Sequence, residues 1–549
     1  MNAMIPMEKD PRAVRAMDRW NDLKSRRAIH EPDWDAIAKL IRPQRGDFSS
    51  TDRSNRKLEK PLSSEPILAS SSFAAGIYAA ITNPANRWFG FGTPDDELNQ
   101  WKPMAEWIDV ADRKVMNSFS PSVSSFYSST FQAYQDISAF GQAAAYDEID
   151  VGSRRFIDVS LSLAEVVVDI DAHGRVIEWV RRYQLTPAAA MREFRKSGDA
   201  LPPKLKELAE KGDTGLITFY HHILPNDDLV PGGIGPRGMK YLSLTACEVE
   251  ASLVRVKGNY EMPSYYPRWD VDSGMTYATG PGFIALPSAR SNQLMQAATL
   301  RAAQFAADPT KLAPDRSTIP LNGAVRPGAT VYGAVDQRGN QLLRNMEANT
   351  SIGLTLEEKR SVVEAIKDVF QYSIMSLSGR TGITDDESRI MEEARLRNWA
   401  PNADRLMEEY AARKVERRFQ MLWRAGQIPP PPDGVPDNMP LQVRYQSQAA
   451  MALKAREGLQ TRQFLNDMAQ LSALDPRAGK RVDVDAAAEV LHDASPSLPA
   501  KILRSREETD AREQAEAQRM QQMQAMQMAQ AGAGAIKDIA DAARVGGEA

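Results

Sequence analysis

The sequence has few of the residues from which disulfides, metal sites and membrane spans are built. Its 549 residues include one cysteine, Cys247, and five histidines. A single cysteine cannot form an intramolecular disulfide or a zinc site of several thiolates. The most apolar early stretch, residues 69–81, is shorter than the roughly 20 residues that cross a bilayer. We therefore expect no disulfide framework, no secretory signal and no membrane span.

Several short motifs that mark catalytic sites are also missing. The chain contains no G-x-x-x-x-G-K-[ST] phosphate loop, no H-E-x-x-H helix and no G-x-S-x-G nucleophile elbow. His221 and His222 are adjacent in an expected strand, where neighbouring side chains point to opposite faces, so they do not predict a metal site. We expect no catalytic residue, no cofactor and no metal ion.

Charge of one sign is not in large excess. Lys and Arg number 68 and Asp and Glu number 72, which gives a formal net charge of −4. A tight binder of duplex DNA usually has a basic surplus instead. Hydrophobic residues make up 42% of the chain, which is typical of a globular protein with a sizeable core. The length indicates about three or four substructures.

Residues 12–140 have the apolar spacing of helices. The pattern predicts two helices over Arg12–Ile41 interrupted at Pro32, followed by helices over Ile67–Ile81, Trp101–Ser118 and Ser124–Phe140. β-branched residues then predict a hairpin within residues 156–180, with its turn at Asp171–Gly174. Further strands are expected over Leu216–Leu224, Tyr241–Leu244 and Glu248–Lys257.

The second half of the chain is predicted to be helical around one irregular stretch. A helix beyond Pro287 leads to residues 309–349, which are rich in proline and glycine and should contain a small sheet. Capping boxes at Thr355 and Thr384 predict the next helix starts, with a short loop, Ser376–Gly382, between them. The remaining helices are expected over Leu406–Trp423, Ala449–Leu474, Ala486–Leu491 and Ser505–Ala531.

Several short motifs, read in order, resemble those of one viral protein family. They are Arg19-Trp20, Trp34, Ile41-Arg42-Pro43, Pro84, Arg87-Trp88-Phe89, Gly141, Asp171, Gly174, Tyr266-Pro267-Arg268-Trp269, Tyr277, Gly280-Pro281, Ala285-Leu286-Pro287, Asp308-Pro309, Gly382-Ile383-Thr384, Pro401 and Gly426. This set resembles the head-to-tail connector (portal) family of short-tailed phages, over residues 12–445. Where that family usually has Tyr-Gly-Arg-Gly-Pro, this chain has Tyr277-Ala278-Thr279-Gly280-Pro281, so the arginine is missing.

The resemblance implies a mainly helical α+β portal fold and a ring, usually of twelve copies, at one capsid vertex. It divides the chain into a wing (1–285), a first stem helix (286–308), a clip with a small sheet (309–350), a second stem helix (351–375), a channel loop (376–384), helices that return to the wing (385–430), and a helical crown and tail (431–549). Double-stranded DNA would pass through the bore during packaging and ejection.

The candidate DNA-channel residues lie in and beside the expected channel loop. They are Ser378, Gly379, Arg380, Thr381, Lys359, Arg360 and Lys367. The alternative for Arg380 is an ordinary solvated loop residue, and the alternative for the three cations near residue 360 is the solvated face of a helix. A conduit should grip DNA weakly, because neutralising several phosphates releases counterions and binds the duplex strongly. The net negative charge of the chain agrees with weak grip.

The implied partners are the other copies in the ring, double-stranded DNA in transit, the large subunit of an ATP-driven terminase, a tail adaptor, and the major capsid and scaffolding proteins. The expected location is the portal vertex of the virion, with assembly in the host cytoplasm. Two other functions stay open at this point. An internal scaffold or ejection protein would agree with the Gln- and Met-rich tail, and a carboxylate-dependent hydrolase would need paired acids within residues 150–290.

Overall fold

The computed structural model describes part of the chain. The described residues are 9–46, 48, 60–85, 87–150, 152–153, 155–195, 201–307, 311–312, 335–342, 344–345, 352–372, 401–436, 441–445, 448–475, 482–494, 509, 511–512 and 514–524. The chain divides into two compact units, one formed by residues 1–84 and 117–421 and the other by residues 85–116 and 422–549.

Helices provide most of the regular structure among these residues. In chain order they are α1 (Pro11–Arg27), α2 (Glu31–Leu40), α3 (Glu65–Ile81), α4 (Asp96–Gln100), α5 (Lys102–Ser118), α6 (Phe126–Phe140), α7 (Pro187–Arg195), α8 (Pro203–Glu210), α9 (Pro281–Ala307), α10 (Ile352–Val369), α11 (Arg413–Arg424), α12 (Gln448–Leu474) and α13 (Val484–Asp493). A π-helical turn, Met407–Ala412, directly precedes α11. Residues 514–524 in the tail are also helical.

The strands form antiparallel sheets. They are β1 (Phe89–Gly92), β2 (Ala144–Asp150), β3 (Arg155–Leu161), β4 (Val166–Ile170), β5 (Val176–Leu185), β6 (Ile217–Pro225), β7 (Tyr241–Cys247), β8 (Ser252–Asn259), β9 (Ser264–Tyr265), β10 (Lys311–Leu312), β11 (Arg344–Asn345) and β12 (Gln442–Tyr445). The first unit contains a five-stranded sheet in the order β4-β5-β6-β7-β8, a three-stranded sheet β3-β2-β9 and the pair β10-β11, whereas β1 pairs with β12 in the second unit. The prediction of a mainly helical α+β protein is confirmed.

The predicted hairpin is present as β4 and β5. Its turn is fixed by Asp171, whose carboxylate accepts hydrogen bonds from the backbone N–H groups of His173 and Arg175 at 2.9 and 2.8 Å. Gly174 has φ +78°, a left-handed conformation that glycine adopts without strain. Residues 155–161, however, pair with β2 and not within this hairpin. β2 was not predicted.

The five-stranded sheet is covered on both faces by helices. Ala13, Ala16, Trp20 and Leu23 form one stripe of α1, spaced three or four residues apart, and pack against Val167, Val180, Tyr220 and Ala246. On the opposite face, α7 and α8 supply Ala190, Phe194 and Leu205, which pack against Phe219, Cys247 and Val254. Paired residues of neighbouring strands share a face, so His222 lies on the α1 side and His221 on the α7 side.

Several predicted helix boundaries near prolines and caps are wrong. The first break lies at residues 28–30, and Pro32 sits in the first turn of α2, where a missing N–H costs nothing. α9 begins at Pro281 and continues through Pro287, because Pro281, Gly282 and Ala285 are already buried before the second proline. α10 begins at Ile352, three residues before Thr355, and ends at Val369 rather than Met375.

The predicted small sheet in the irregular stretch is represented by two strands. Lys311 and Leu312 pair with Asn345 and Arg344, respectively. The second capping box at Thr384 and the loop over residues 376–382 lie outside the described residues. The expected helices at residues 449–474 and 486–491 correspond to α12 and α13.

Candidate functional site

The helices α9 and α10 form an antiparallel pair, which is the described part of the expected stem. The pairing of β10 with β11 brings the end of α9 and the start of α10 to the same end of the pair. At a rise of about 1.5 Å per residue, the 27 residues of α9 span about 40 Å and the 18 residues of α10 about 27 Å. Ile366 and Phe370 face inward, and the Phe370 ring lies 6.2 Å from Phe73 of α3.

The structure separates the seven candidate channel residues into two groups. Ser378, Gly379, Arg380 and Thr381 lie outside the described residues. The Lys359 ammonium donates to the side-chain oxygen of Gln296 on α9. The Lys367 ammonium lies 3.7 Å from the Glu65 carboxylate and 5.5 Å from the centre of the Tyr372 ring. Arg360 is exposed.

The exposed charges of α10 are mainly negative. Four carboxylates, Glu357, Glu358, Glu364 and Asp368, are exposed, together with the single cation Arg360. Since Lys359 and Lys367 are only partly exposed and contact neighbouring helices, the solvent-facing surface of α10 is acidic. Such a surface repels DNA phosphates.

A second feature of the first unit is a group of buried ion pairs between α11 and two strands. The Lys414 ammonium lies 2.6 Å from one Asp158 carboxylate oxygen, and Arg418 Nη2 lies 2.9 Å from the other. Arg417 Nε lies 2.9 Å from Asp147 Oδ1. All five side chains are at most 5% exposed. We call them the α11 ion-pair cluster.

The electrostatics of this cluster keep Asp158 ionised. Burial raises the pKa of Asp158, but the adjacent Lys414 and Arg418 charges outweigh it and lower the pKa to about 2. The guanidinium carbon of Arg418 also lies 3.6 Å from the centre of the Phe156 ring, so the cation is held between a carboxylate and an aromatic face. Breaking a buried pair by removing one partner leaves an uncompensated charge, so each member depends on the others.

This cluster was not predicted from the sequence. A signal was available, because Lys414, Arg417 and Arg418 are spaced three and four residues apart and therefore share one face of a helix. Their carboxylate partners are distant in the sequence, and Asp158 and Lys414 are 256 positions apart. Spacing within the helix could show that the cations cluster but could not show that they are buried.

Arg268, one of the family-motif residues, also pairs with a carboxylate that is distant in the sequence. Its backbone N–H donates to a Glu409 carboxylate oxygen at 2.9 Å, and its Nη2 donates to the Gly174 carbonyl at 2.6 Å. Arg268 Nη2 also lies 2.5 Å from the Glu409 carboxylate. Glu409 belongs to the π-helical turn Met407–Ala412, and such turns often occur at specialised positions. The motif arginine therefore joins this turn to the hairpin loop.

Two glycines of the family motifs, Gly141 and Gly280, lie where two backbone segments approach closely. Gly141 ends α6 with φ +74°, and a Cβ atom there would lie 2.2 Å from the Thr279 carbonyl carbon. A Cβ atom at Gly280 would lie 2.5 Å from the Gly141 Cα. The Trp269 N–H donates to the Gly141 carbonyl at 2.7 Å. The motif glycines are thus the only residue type that fits this crossing without displacement of the backbone.

The motif arginines Arg42 and Arg87 also form ion pairs. Arg42 Nε lies 3.3 Å from one carboxylate oxygen of the buried Asp136, and Nη2 of the nearby Arg45 lies 2.7 Å from the other. In the second unit, Arg87 lies 3.2 Å from Asp109 and 2.6 Å from Asp112, both on α5. Most motif arginines with described surroundings therefore hold parts of the fold together.

The carboxylates of the β-rich region also have cationic partners. Glu178 Oε1 lies 2.6 Å from His222 Nε2 and its other oxygen 2.6 Å from Arg19 Nη2. Burial raises the pKa of Glu178, but the hydrogen bonds from His222 and Arg19 lower it to about 2. Glu165 lies 3.3 Å from Arg181. A glycosidase-type acid with a raised pKa, which the hydrolase alternative requires, does not describe Glu178.

One segment has the glycine spacing of a dinucleotide-binding motif, which was not predicted from the sequence. Residues 233–238, from Gly233 through Gly235 to Gly238, match G-x-G-x-x-G. A dinucleotide site needs this spacing between a strand and a helix of a parallel sheet. Here the segment connects the antiparallel strands β6 and β7, so the context excludes that interpretation. Across the described residues, no group of three or more His, Cys, Asp or Glu could hold a metal ion, and no helix could span a membrane.

Comparison with protein families gives one match over residues 13–503, to the family described as bacteriophage head to tail connecting protein. The chain belongs to this family. The resemblance seen in the ordered motifs is therefore confirmed. The match continues past residue 445, where the motifs end, and reaches residue 503. Helix α12 contains one glycine, one aromatic residue and no proline, so it has few of the residues from which the recognised motifs are built.

Two curated relatives of this connector chain are named portal protein and probable portal protein. The portal protein of Salmonella phage epsilon15 is 26% identical over 507 residues, covering 90% of this chain and 89% of that protein. The probable portal protein of Bordetella phage BPP-1 is 25% identical over 491 residues, covering 87% and 86%. A solved chain from the virion of a native gene transfer agent particle covers 78% of this chain and 89% of its own length at 10% identity, with a TM-score of 0.34. The family assignment depends on the sequence matches alone.

Proposed function

We propose that this chain is the subunit of a phage portal, a ring at one capsid vertex through which double-stranded DNA is packaged and ejected. The observation that carries this proposal is the connector-family match over residues 13–503, together with two relatives named portal or probable portal protein over most of their length. The family is structural, and we propose no catalytic step for the chain.

The acidic surface of α10 supports a conduit function. A protein that neutralises DNA phosphates with lysine and arginine binds the duplex strongly, which would stop its movement. Four exposed carboxylates against one exposed arginine give the opposite effect. We propose that this surface faces the bore, and that α9 and α10 form the stem, with residues 1–285 as the wing, 309–350 as the clip and 431–549 as the crown and tail.

We propose that the ring has twelve copies and forms its contacts with other virion proteins at its two ends. The terminase large subunit would dock on the clip and supply the ATP-driven movement of DNA, because this chain has no phosphate loop of the Walker type. A tail adaptor would bind after packaging, and the major capsid and scaffolding proteins would surround the wing during assembly in the host cytoplasm.

The ring can be tested on the purified full-length chain. We expect ring-shaped particles with a central hole in negative-stain images, and a particle mass near a whole multiple of 60.8 kDa. A compact single copy at every concentration would contradict the proposal. A filled disc or fibre of the same chain would favour the scaffold alternative.

The channel loop has a separate test in phage particles. We propose that Ser378, Gly379, Arg380 and Thr381 line the bore, with Arg360 nearby on α10. Arg380→Ala should lower DNA packaging or genome retention while the ring still assembles. The matched control is Arg26→Ala, which removes an exposed arginine of α1 that pairs only with Asp22 on its own helix. Equal packaging by both variants would contradict the channel assignment.

A further inference from the structure

An unassigned cleft of about 360 Å³ lies on the α7 face of the five-stranded sheet. Its floor is formed by β5 to β8, and its sides by Ala189 and Glu193 of α7 and by Tyr146 and Glu148 of β2. The volume is within the range of small-molecule sites in proteins. The cleft shares no lining residue with α9, α10 or the α11 ion-pair cluster.

The register of the sheet places a row of polar side chains across this floor. Arg181 on β5 pairs with His221 on β6, His221 pairs with Thr245 on β7, and Thr245 pairs with Arg255 on β8. Directly paired residues share a face of the sheet, and all four line the cleft. Ser243 and Lys257, the pair next along β7 and β8, line it too. Arginines therefore stand at both ends of a floor of hydroxyl and imidazole groups.

The cations of the cleft act on the buried imidazole of His221. Burial lowers the pKa of His221, and the charges of Arg181 and Arg255 lower it further, to about 3. Lys257 acts on this ring in the same direction. His221 is therefore neutral at physiological pH, and its Nε2 lies 2.7 Å from Ser243 Oγ. Cations that disfavour a proton on His221 will favour an anion above it.

Each cation of the cleft has a carboxylate partner. Arg255 Nη1 lies 3.8 Å from the Glu193 carboxylate, and the side chains of Arg255 and Glu193 are 11% and 59% exposed, respectively. Because the Glu193 side chain is exposed, an anion that enters the cleft can compete with it for the Arg255 guanidinium. Arg181 is anchored more firmly, 3.3 Å from the buried Glu165, and Lys257 contacts Glu148 at the rim.

We propose that this cleft binds a phosphate group. Two arginines approach from opposite ends of the row, a lysine approaches from the rim, and the hydroxyl groups of Ser243 and Thr245 lie on the floor. Donors on several sides match a tetrahedral oxyanion that carries up to two charges. A planar carboxylate is usually held from one side by a single guanidinium fork. The phosphate can be a free ion or part of a nucleic acid.

The test measures binding to the intact full-length chain by calorimetry, with inorganic phosphate and a short DNA duplex as separate probes. We expect saturable phosphate binding that Arg255→Gln weakens about tenfold or more, because a charge-assisted hydrogen bond is lost. The matched control is Arg192→Gln, which removes an exposed arginine beside Glu193 that does not line the cleft. Thermal unfolding of each variant checks that it is folded.

A second variant keeps the test decisive. Arg255 also covers the Phe194 ring at 4.9 Å, so its replacement could disturb the packing of α7. Lys257→Gln changes a residue that is 42% exposed and should weaken phosphate binding without unfolding the chain. Duplex binding that phosphate displaces, and that either variant weakens, would support a nucleic-acid source. Binding that neither variant alters, binding of a glutamate-rich peptide in place of phosphate, or no saturable binding of either probe would overturn the proposal.

Discussion

The helices α10 and α11 both carry runs of basic residues, yet they use them in opposite ways. On α11, Lys414, Arg417 and Arg418 are buried and paired with Asp147 and Asp158. On α10, the cations lie at or near the surface among four exposed carboxylates. The first arrangement joins α11 to β2 and β3, and the second presents an acidic surface to solvent.

The difference shows what a run of charges on a helix indicates. On α10, acidic and basic residues are mixed around the helix, which is typical of a solvated surface. On α11, the three cations share one face, and the neighbouring Val415 and Phe419 are buried as well. Cations that are three and four residues apart beside buried apolar residues therefore indicate partners on another element.

The largest effect should follow from removing the shared carboxylate of the cluster. Asp158→Asn keeps the size of the side chain but leaves Lys414 and Arg418 buried without a negative partner, which we expect to cost about 3–5 kcal/mol of unfolding free energy. Chemical denaturation followed by circular dichroism measures it. The matched control is Glu364→Gln on the exposed surface of α10, which should change stability by less than about 0.5 kcal/mol. Equal effects of the two variants would contradict the comparison.

Local chemistry made parts of this fold predictable. The Asp171–Gly174 turn is set by an aspartate whose carboxylate accepts the backbone N–H groups of His173 and Arg175, and by a glycine at positive φ, so the sequence of the turn is sufficient to predict it. Among the described helices of the first 140 residues, the short α4 was not predicted, and the others were predicted within a few residues because their apolar residues recur at helical spacing.

Other parts depended on contacts that are distant in the sequence. β2 begins with two alanines and ends with acidic residues, and its conformation is set by pairing with β3 and β9. α9 begins before Pro287 because Pro281 and Gly282 pack beside α6. Arg268 could be recognised as part of a motif, but its partner Glu409 lies 141 residues away. Short-range patterns contain no information about such partners.

A smaller effect is expected at the Arg268–Glu409 pair, which lies closer to the surface than the α11 ion-pair cluster. Glu409→Gln keeps one acceptor for the Arg268 backbone N–H but removes the negative charge, so we expect a loss of about 2 kcal/mol. Denaturation of this variant and of Asp158→Asn under the same conditions ranks the two sites. A larger loss of unfolding free energy in Glu409→Gln than in Asp158→Asn would show that side-chain exposure does not determine the ranking of the two sites.

Lowering the pH should remove part of the stabilising effect of the Asp158 carboxylate in the α11 ion-pair cluster. The pKa of Asp158 is lowered from 3.8 to about 2 in the fold, so its contribution is present above about pH 4 and is lost as the pH falls towards 2. The stability gap between the unaltered chain and Asp158→Asn should therefore narrow by about 2 kcal/mol over this interval. Denaturation of both proteins at pH 7, 4 and 2.5 measures the gap, and a constant gap would contradict the low pKa.

A charge change on the exposed surface of α10 should have the smallest effect on the unfolding free energy. It should have a clear effect on DNA retention. Glu364→Lys should change the unfolding free energy by less than about 0.5 kcal/mol, since the side chain is exposed. If this surface faces the bore, every copy in the ring gains a cation there, and duplex DNA should be retained more strongly at low salt than at high salt. Salt-dependent DNA retention by assembled rings measures this effect. The control is Lys211→Glu, which makes the opposite charge change. Lys211 lies at the exposed end of α8, where it pairs with Glu207. Unchanged retention in Glu364→Lys rings would place the acidic surface of α10 outside the bore.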